Sequence, residues 1–222
     1  MKVLVIAPHM DDEVLGPGGA IARHVERRDR VSVVIAANRA YGHRYRASAI
    51  RQEEACAKRA QKVLGYHRLE FLRLPDEKLD QGLARILLPL EKAFQSFQPD
   101  LVYLPHRGDL NQDHRAVFEA GVIVCRPLAR NRPRKVLCYE VPSSTDQSPA
   151  VCGDPFLPNE YLPLSDRQLE KKTEALLCYE REMRKFPHPR SVEGLRILAA
   201  KRGMEAGLEA AEAFLLVRKI HS

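Results

Sequence analysis

The stretch Val3-Leu4-Val5-Ile6-Ala7-Pro8-His9-Met10-Asp11-Asp12-Glu13 decides how the rest of the chain is read. Its first five residues are apolar and rich in β-branched side chains. Such a run, without polar alternation, reads as a strand covered on both faces. His9 and three carboxylates follow at once. Adjacent acids repel one another, and a bound cation among them relieves the repulsion most directly. His9 and Asp12, three residues apart, can reach one ion from a single tight turn, which leaves Asp11 over. Gly16-Pro17-Gly18-Gly19 then turns the backbone into a stretch with helical spacing from Ala20 to Val25. The phosphate-cradling patterns GxGxxG and GxxxxGK(S/T) are absent, and an acidic loop would repel phosphate.

Outward from this block, strands and helices alternate. Val31 to Ala37 is a second apolar run, and Arg46 to Leu64 a helix closed by Gly65. Arg68 to Leu74 reads as strand three, Gly82 to Phe97 as a helix broken by Pro99-Asp100, and Leu101 to Leu104 as strand four. Asp113 is an N-cap or first-turn residue for a helix from Arg115 to Cys125, and Lys135 to Val141 is strand five. This alternation predicts right-handed crossovers and a Rossmann-like, three-layer α/β/α fold. Its sheet is mainly parallel, in the order 3-2-1-4-5, with C-terminal additions. Residues 142–164 hold five prolines and read as a long loop over one end of the sheet, with room for a short strand. Helices from Ser165 to Glu182 and from Ser191 to Arg202 follow, each with a serine N-cap, the second ended by Gly203. Ala213 to Ile220 is a closing strand. The expectation is one domain over 1–222, with a core at 1–141 and residues 142–222 completing a pocket.

The 222 residues are 45% hydrophobic and 29% charged, the balance of a soluble globular protein of enzyme size. No apolar run approaches the roughly 20 residues of a bilayer span. The N-terminus lacks a basic region followed by an apolar segment, so the expected location is cytoplasmic. The five cysteines, at 56, 125, 138, 152 and 178, are odd in number and widely spaced, which favours reduced thiols. The net charge of +7 is scattered over helices at Arg23, Arg27, Lys58, Arg59 and Lys171. The densest basic run, Arg126 to Lys135, carries no nucleic-acid motif. Solubility or an anionic small substrate therefore explains the charge better than nucleic acid.

A second polar cluster, His106-Arg107-Gly108-Asp109-Leu110-Asn111-Gln112-Asp113-His114, also leaves a strand and opens a helix. In the order 3-2-1-4-5 the loops after strands one and four diverge from a common point and form a cleft. Topology thus gathers His9, Asp12 and His114. Two imidazoles and a carboxylate suit a divalent transition metal with an open position, and zinc is the usual occupant for hydrolysis. A non-haem Fe(II) enzyme is a competing fit to the same ligands. Singly, these residues have plainer readings as loop and helix-start histidines or first-turn acids. Their joint placement is what points to a metal.

Pro8-His9-Met10-Asp11-Asp12-Glu13, with Leu15-Gly16 and Gly18-Gly19, resembles the signature of the LmbE/PIG-L zinc-dependent N-deacetylases. That signature normally reads Ala/Pro-His-Pro-Asp-Asp-Glu, and Met10 replaces its proline. Asp113-His114 matches the second motif. Arg51 with Glu53-Glu54 is similar to a helix offering a substrate-binding arginine. His188-Pro189-Arg190-Ser191, Arg202-Gly203 and Ala211-Glu212-Ala213-Phe214 are similar to the tail of one branch.

The resemblance implies a Zn2+ site at His9, Asp12 and His114, Asp11 as general base and Arg51 as a substrate contact, with Fe2+ or another divalent ion an alternative metal. The implied reaction removes an N-acetyl group from an N-acetylglucosamine-type sugar or glycoconjugate. One departure is Asn111, where the family carries a histidine that stabilises the oxyanion or acts as acid. An amide can donate a hydrogen bond there but supplies no proton, so Asp11 shuttles it or His106 or His188 stands in. Arg190, with Arg44, Arg46 and Arg107, is a candidate contact for an anionic group on the substrate. Asp113 is grouped with these as a residue that orients a neighbour or caps its helix. Asn111 leaves open a non-catalytic sugar- or nucleotide-binding member of the same fold. No nucleic acid or membrane span is expected, and a homo-oligomer is compatible with the sequence.

Overall fold

The computed structural model describes residues 1–39, 44, 46–127, 132–149 and 153–221. His43 and Cys152 lie outside them. Strand β1 (Lys2–Ala7) is the centre of the molecule. Val3, Val5 and Ala7 enter one hydrophobic core and Leu4 and Ile6 enter another. This is the both-faces burial that the unbroken apolar run requires. Each fully buried Val, Leu or Ile of β1 contributes about 1.5–3 kcal/mol.

Four further strands continue the parallel sheet: β2 (Arg30–Asn38), β3 (Arg68–Pro75), β4 (Leu101–Pro105) and β5 (Lys135–Tyr139). The first core lies under α2 (Gly18–Glu26), α3 (Ala47–Leu64) and α6 (Asp166–Leu177). The second lies under α4 (Leu83–Phe97) and α5 (Gln112–Val124). In α4 the stripe Ile86, Leu90, Ala93, Phe94 and Phe97 recurs at helical spacing and is buried throughout. Gly65 ends α3 at φ 80°, as its position predicts.

The sheet order is β3-β2-β1-β4-β5-β7-β6. The expected 3-2-1-4-5 is present, and two antiparallel strands extend it: β6 (Glu160–Pro163) and β7 (Ala211–Lys219). The order reverses between β1 and β4, which pair with Val5 opposite Tyr103. The loops leaving these two strands therefore start side by side.

Four local expectations change. Asp12 to Leu15 form a one-turn helix, α1, and Gly18 and Gly19 lie inside α2. Gly16 and Pro17 form the turn between α1 and α2. Close packing adds a second reason for Gly16, because a Cβ there would collide with the Tyr139 ring. Helix α5 begins three residues before Arg115, since Asn111 caps it. Helix α6 keeps its Ser165 capping box but stops at Leu177, and Tyr179 turns inward to donate to Glu13. Helix α7 (Val192–Met204) runs through Gly203, and the chain reverses instead at Gly207, φ 68°.

Candidate active site

His9 leaves β1 and Asp12 opens α1, so both lie at the C-terminal end of the central strand. His114 stands in the first turn of α5. Across the reversal of strand order the two imidazole rings come within 5.3 Å, centroid to centroid. Asp12 Oδ2 lies 3.3 Å from His9 Nδ1 and 3.2 Å from His114 Nε2. Three ligand atoms around an ion at zinc–ligand distances of about 2.0–2.1 Å would be about 3.3 Å apart in a tetrahedron. The three side chains are buried. Both imidazoles are backed by carboxylates. His9 Nε2 meets Asp113 Oδ2 at 3.1 Å and Asp76 Oδ1 at 2.9 Å, and His114 Nδ1 lies 3.1 Å from Asp109 Oδ2. A carboxylate on the outer nitrogen fixes ring orientation and raises ligand basicity in metal sites. The donor set therefore fits a divalent transition metal.

His9, Asp76 and Asp113 form a second close group. Asp113 is poorly suited to an ion there. Its carboxylate accepts the N–H groups of Glu77 (2.7 Å) and Leu79 (3.0 Å) as well as His9. Asp113 is thus an orienting residue for His9. It is fully buried, with both oxygens committed to these donors. Asp109, not singled out by the sequence, does the same for His114. It is anchored by the Asn111 N–H (2.8 Å), the Thr145 hydroxyl (2.5 Å) and the Ser144 hydroxyl.

The electrostatics follow from so many carboxylates in a dry place. Burial opposes the charge of Asp12, yet His114 and His9 hold its carboxyl well below the usual range. Burial also disfavours the imidazolium of His114, but Asp12 and Asp109 push it up to about 9. His9 is raised too, against burial, by Asp113, Asp12 and Asp76. A divalent ion would take over the positive charge that these protons bring.

Asp11 stands apart from the ligand group. It has φ 113°, a left-handed backbone that costs a non-glycine residue about 1–3 kcal/mol. Its side chain is fully buried. Oδ2 accepts from Arg190 Nη1 (3.0 Å) and Arg39 Nη2 (3.3 Å), and Oδ1 has no partner among the described residues. Burial pushes the carboxyl up to about 7, with Arg190 and Arg39 opposing. Glu182 bridges the same two guanidinium groups, at 3.2 and 3.4 Å. Glu13 faces away, accepting the Asp11 N–H (3.1 Å) and the Tyr179 hydroxyl, and burial pushes it up to about 8.

The remaining predicted residues divide. Arg190 reaches the site, but its guanidinium is committed to Asp11, Glu182 and the Ser143 hydroxyl (2.7 Å). Asn111 caps α5, its Oδ1 accepting the Asp113 N–H at 2.8 Å, so only its NH2 is left to donate. His188 is half-buried, and its Nδ1 accepts the Arg190 N–H. His106 is buried with its ring edge-on to Phe156 at 5.2 Å. Its Nδ1 accepts the Gly108 N–H, and burial lowers its pKa, so the ring is neutral and carries its proton on Nε2. Arg51 is exposed on α3. Arg39 was missed. Its one sequence signal is its place just after β2, level with the loop that follows β1.

Comparison with known proteins adds to this geometry. A family model described as PIG-L, GlcNAc-PI de-N-acetylase, matches residues 4–125, which include all three ligand candidates. The chain is similar to the uncharacterized deacetylase YaiS of Escherichia coli K12, 28% identical over 147 residues, covering 64% of this chain and 75% of that one. Its fold is similar to that of an N,N'-diacetylchitobiose deacetylase from Pyrococcus horikoshii, with a TM-score of 0.77 and 21% identity over 97% of this chain and 83% of the other. It is also similar to that of the 4-carboxy-2-hydroxymuconate hydratase GalB of Pseudomonas putida KT2440 (TM-score 0.73, 20% identity, 100% and 98% covered). A deacetylase and a hydratase thus share this fold, so fold alone does not choose the reaction.

Proposed function

Since this chain belongs to the PIG-L family, we propose that it is a zinc-dependent hydrolase that removes the acetyl group from an N-acetylglucosamine-type sugar or sugar conjugate. The observation that carries this reading is the pairing of two things. His9, Asp12 and His114 present three converging ligand atoms, and a separate buried carboxylate, Asp11, is held beside them by two arginines. Amide hydrolysis needs both an electrophilic centre and a base.

A zinc ion held by His9, Asp12 and His114 would polarise the amide carbonyl and make water a better nucleophile. The chain supplies the rest. Asp11, a buried carboxylate, takes the proton of the attacking water on its free Oδ1. Arg190 and Arg39 grip Oδ2 and fix the direction in which Oδ1 points. The proton then returns from Asp11 to the departing amine, since no described contact joins His106 or His188 to the ligand group. The NH2 of Asn111 donates to the developing oxyanion, a role that needs no proton. Arg51, exposed on the helix after β2, meets a polar substituent of the sugar or its aglycone. The described cysteines Cys56, Cys125, Cys138 and Cys178 are all unpaired, in keeping with a cytoplasmic enzyme. Among the described residues no helix is long and apolar enough to cross a membrane.

Acetate release from N-acetylglucosamine and N,N'-diacetylchitobiose by the zinc-loaded protein is the direct test. One acetate per acetamide hydrolysed, abolished by a chelator and restored by zinc, is the expected result. Turnover that ignores the chelator, or no acetate from any N-acetylated sugar, would overturn the proposal.

A further inference from the structure

At the end of the sheet opposite the ligand cluster, a cavity of about 250 Å³ opens among the first residues of β4 and β5, the strands β6 and β7, and the last turn of α2. Leu101, Tyr103, Leu137, Leu162 and Phe214 form its walls, and His24 stands at its polar side. We infer that this cavity is a binding site for a small aromatic molecule that carries one N–H or O–H donor. The inference is independent of the deacetylase reading.

The polar side specifies the donor. His24 Nδ1 lies 2.7 Å from Asp29 Oδ2, and His24 Nε2 lies 3.1 Å from the Tyr103 hydroxyl. A carboxylate only accepts, so the Nδ1 proton belongs to His24. Burial lowers the pKa of His24, so the ring is neutral and Nε2 is an acceptor. The Tyr103 O–H therefore donates to Nε2. The Tyr103 oxygen keeps an acceptor lone pair, and Tyr103 and His24 both line the cavity. A ligand with one donor satisfies it.

Size and shape narrow the class. A void of about 150 Å³ holds benzene, so 250 Å³ takes a bicyclic ring of about nine or ten heavy atoms. Aromatic faces from Tyr103 and Phe214, whose rings pack 5.0 Å apart, favour a planar body. Lys135 and Glu160 pair with each other at 2.5 Å at the mouth, and Asp100 accepts the Lys2 N–H at 2.8 Å. Arg134 is exposed at the rim. Asp100, Arg134, Lys135 and Glu160 line the cavity together with the apolar walls.

The test uses indole and 1-methylindole, which share the ring and differ in the donor, titrated calorimetrically into the full-length protein. Indole is expected to bind saturably at one site. 1-Methylindole is expected to bind about fivefold more weakly, the worth of one net hydrogen bond. Tyr103→Phe should weaken indole by the same factor and make the two probes equal. Leu162→Trp, which fills the cavity from the half-buried edge strand, should abolish binding of both. Thermal melts of the two variants establish that they are folded. Absence of saturable indole binding to the wild type would overturn the proposal. So would equal affinity of the two probes for the wild type, or unchanged binding to folded Leu162→Trp.

Discussion

Replacing Asp113 by asparagine keeps the size and changes only what the side chain can accept. In the native site its two oxygens receive three N–H groups: Glu77 at 2.7 Å, Leu79 at 3.0 Å and His9 Nε2 at 3.1 Å. Whichever way the new amide turns, its NH2 meets at least one of those donors head on. The other bonds fall from charge-assisted to neutral, about 1.5–3 against 0.5–1.5 kcal/mol each. One bond lost and the rest weakened, less the relief of no longer burying a charge, gives about 2–4 kcal/mol of destabilisation. The His9 imidazole also loses one of the two anions behind it, Asp76 remaining at 2.9 Å, which lowers metal affinity about 10-fold, the low end for such partners. Urea denaturation of the metal-free protein reads the first quantity, and competition for zinc with a chromophoric chelator reads the second. A variant that holds zinc as tightly as the wild type would refute the claim that Asp113 orients the ligand. A variant of unchanged stability would refute the three-bond arrangement itself.

Asp11→Asn should retain zinc and lose about 10²–10⁴-fold in turnover, the typical contribution of a positioned base; near-native acetate release would remove Asp11 from that role. His114→Ala should lose bound zinc, and metal analysis showing full occupancy would take His114 off the ligand list. Gly16→Ala places a methyl group against the Tyr139 ring, whose hydroxyl donates to Ile6 O at 2.8 Å. It should cost about 1–3 kcal/mol by overpacking, and an unshifted denaturation midpoint would show that the ring can yield.

The fold was legible because β1 is buried on both faces, so its side chains needed no alternation, and because helices separate the parallel strands. The gathering of His9, Asp12 and His114 was legible for the same topological reason, as the three flank the point where strand order reverses. What orients those ligands was harder to read. Asp113 was seen, but its partner ring lies 104 residues away, and nothing near it in sequence says which neighbour it faces. Arg39 and Arg190 reach Asp11 from 28 and 179 residues off, so no local spacing announces them. Gly16 was read as a turn residue because its neighbours are glycines. Only the position of Tyr139, on another strand, shows that it also makes room.

Glu212 lies on β7, yet its carboxylate receives the backbone N–H groups of Gly19 and Ala20, each at 2.7 Å, and the ammonium of Lys172 at 2.6 Å. The opening turn of α2 is thus completed by a residue synthesised nearly two hundred codons later. While the chain is still on the ribosome, those N–H groups have only water to bond, so the opening turn of α2 lacks the carboxylate that fixes it until the tail emerges. A premature stop before Ala211 would therefore damage the beginning of the protein as much as its end. Protease probing of stalled nascent chains should find α2 protected only once β7 has cleared the exit tunnel.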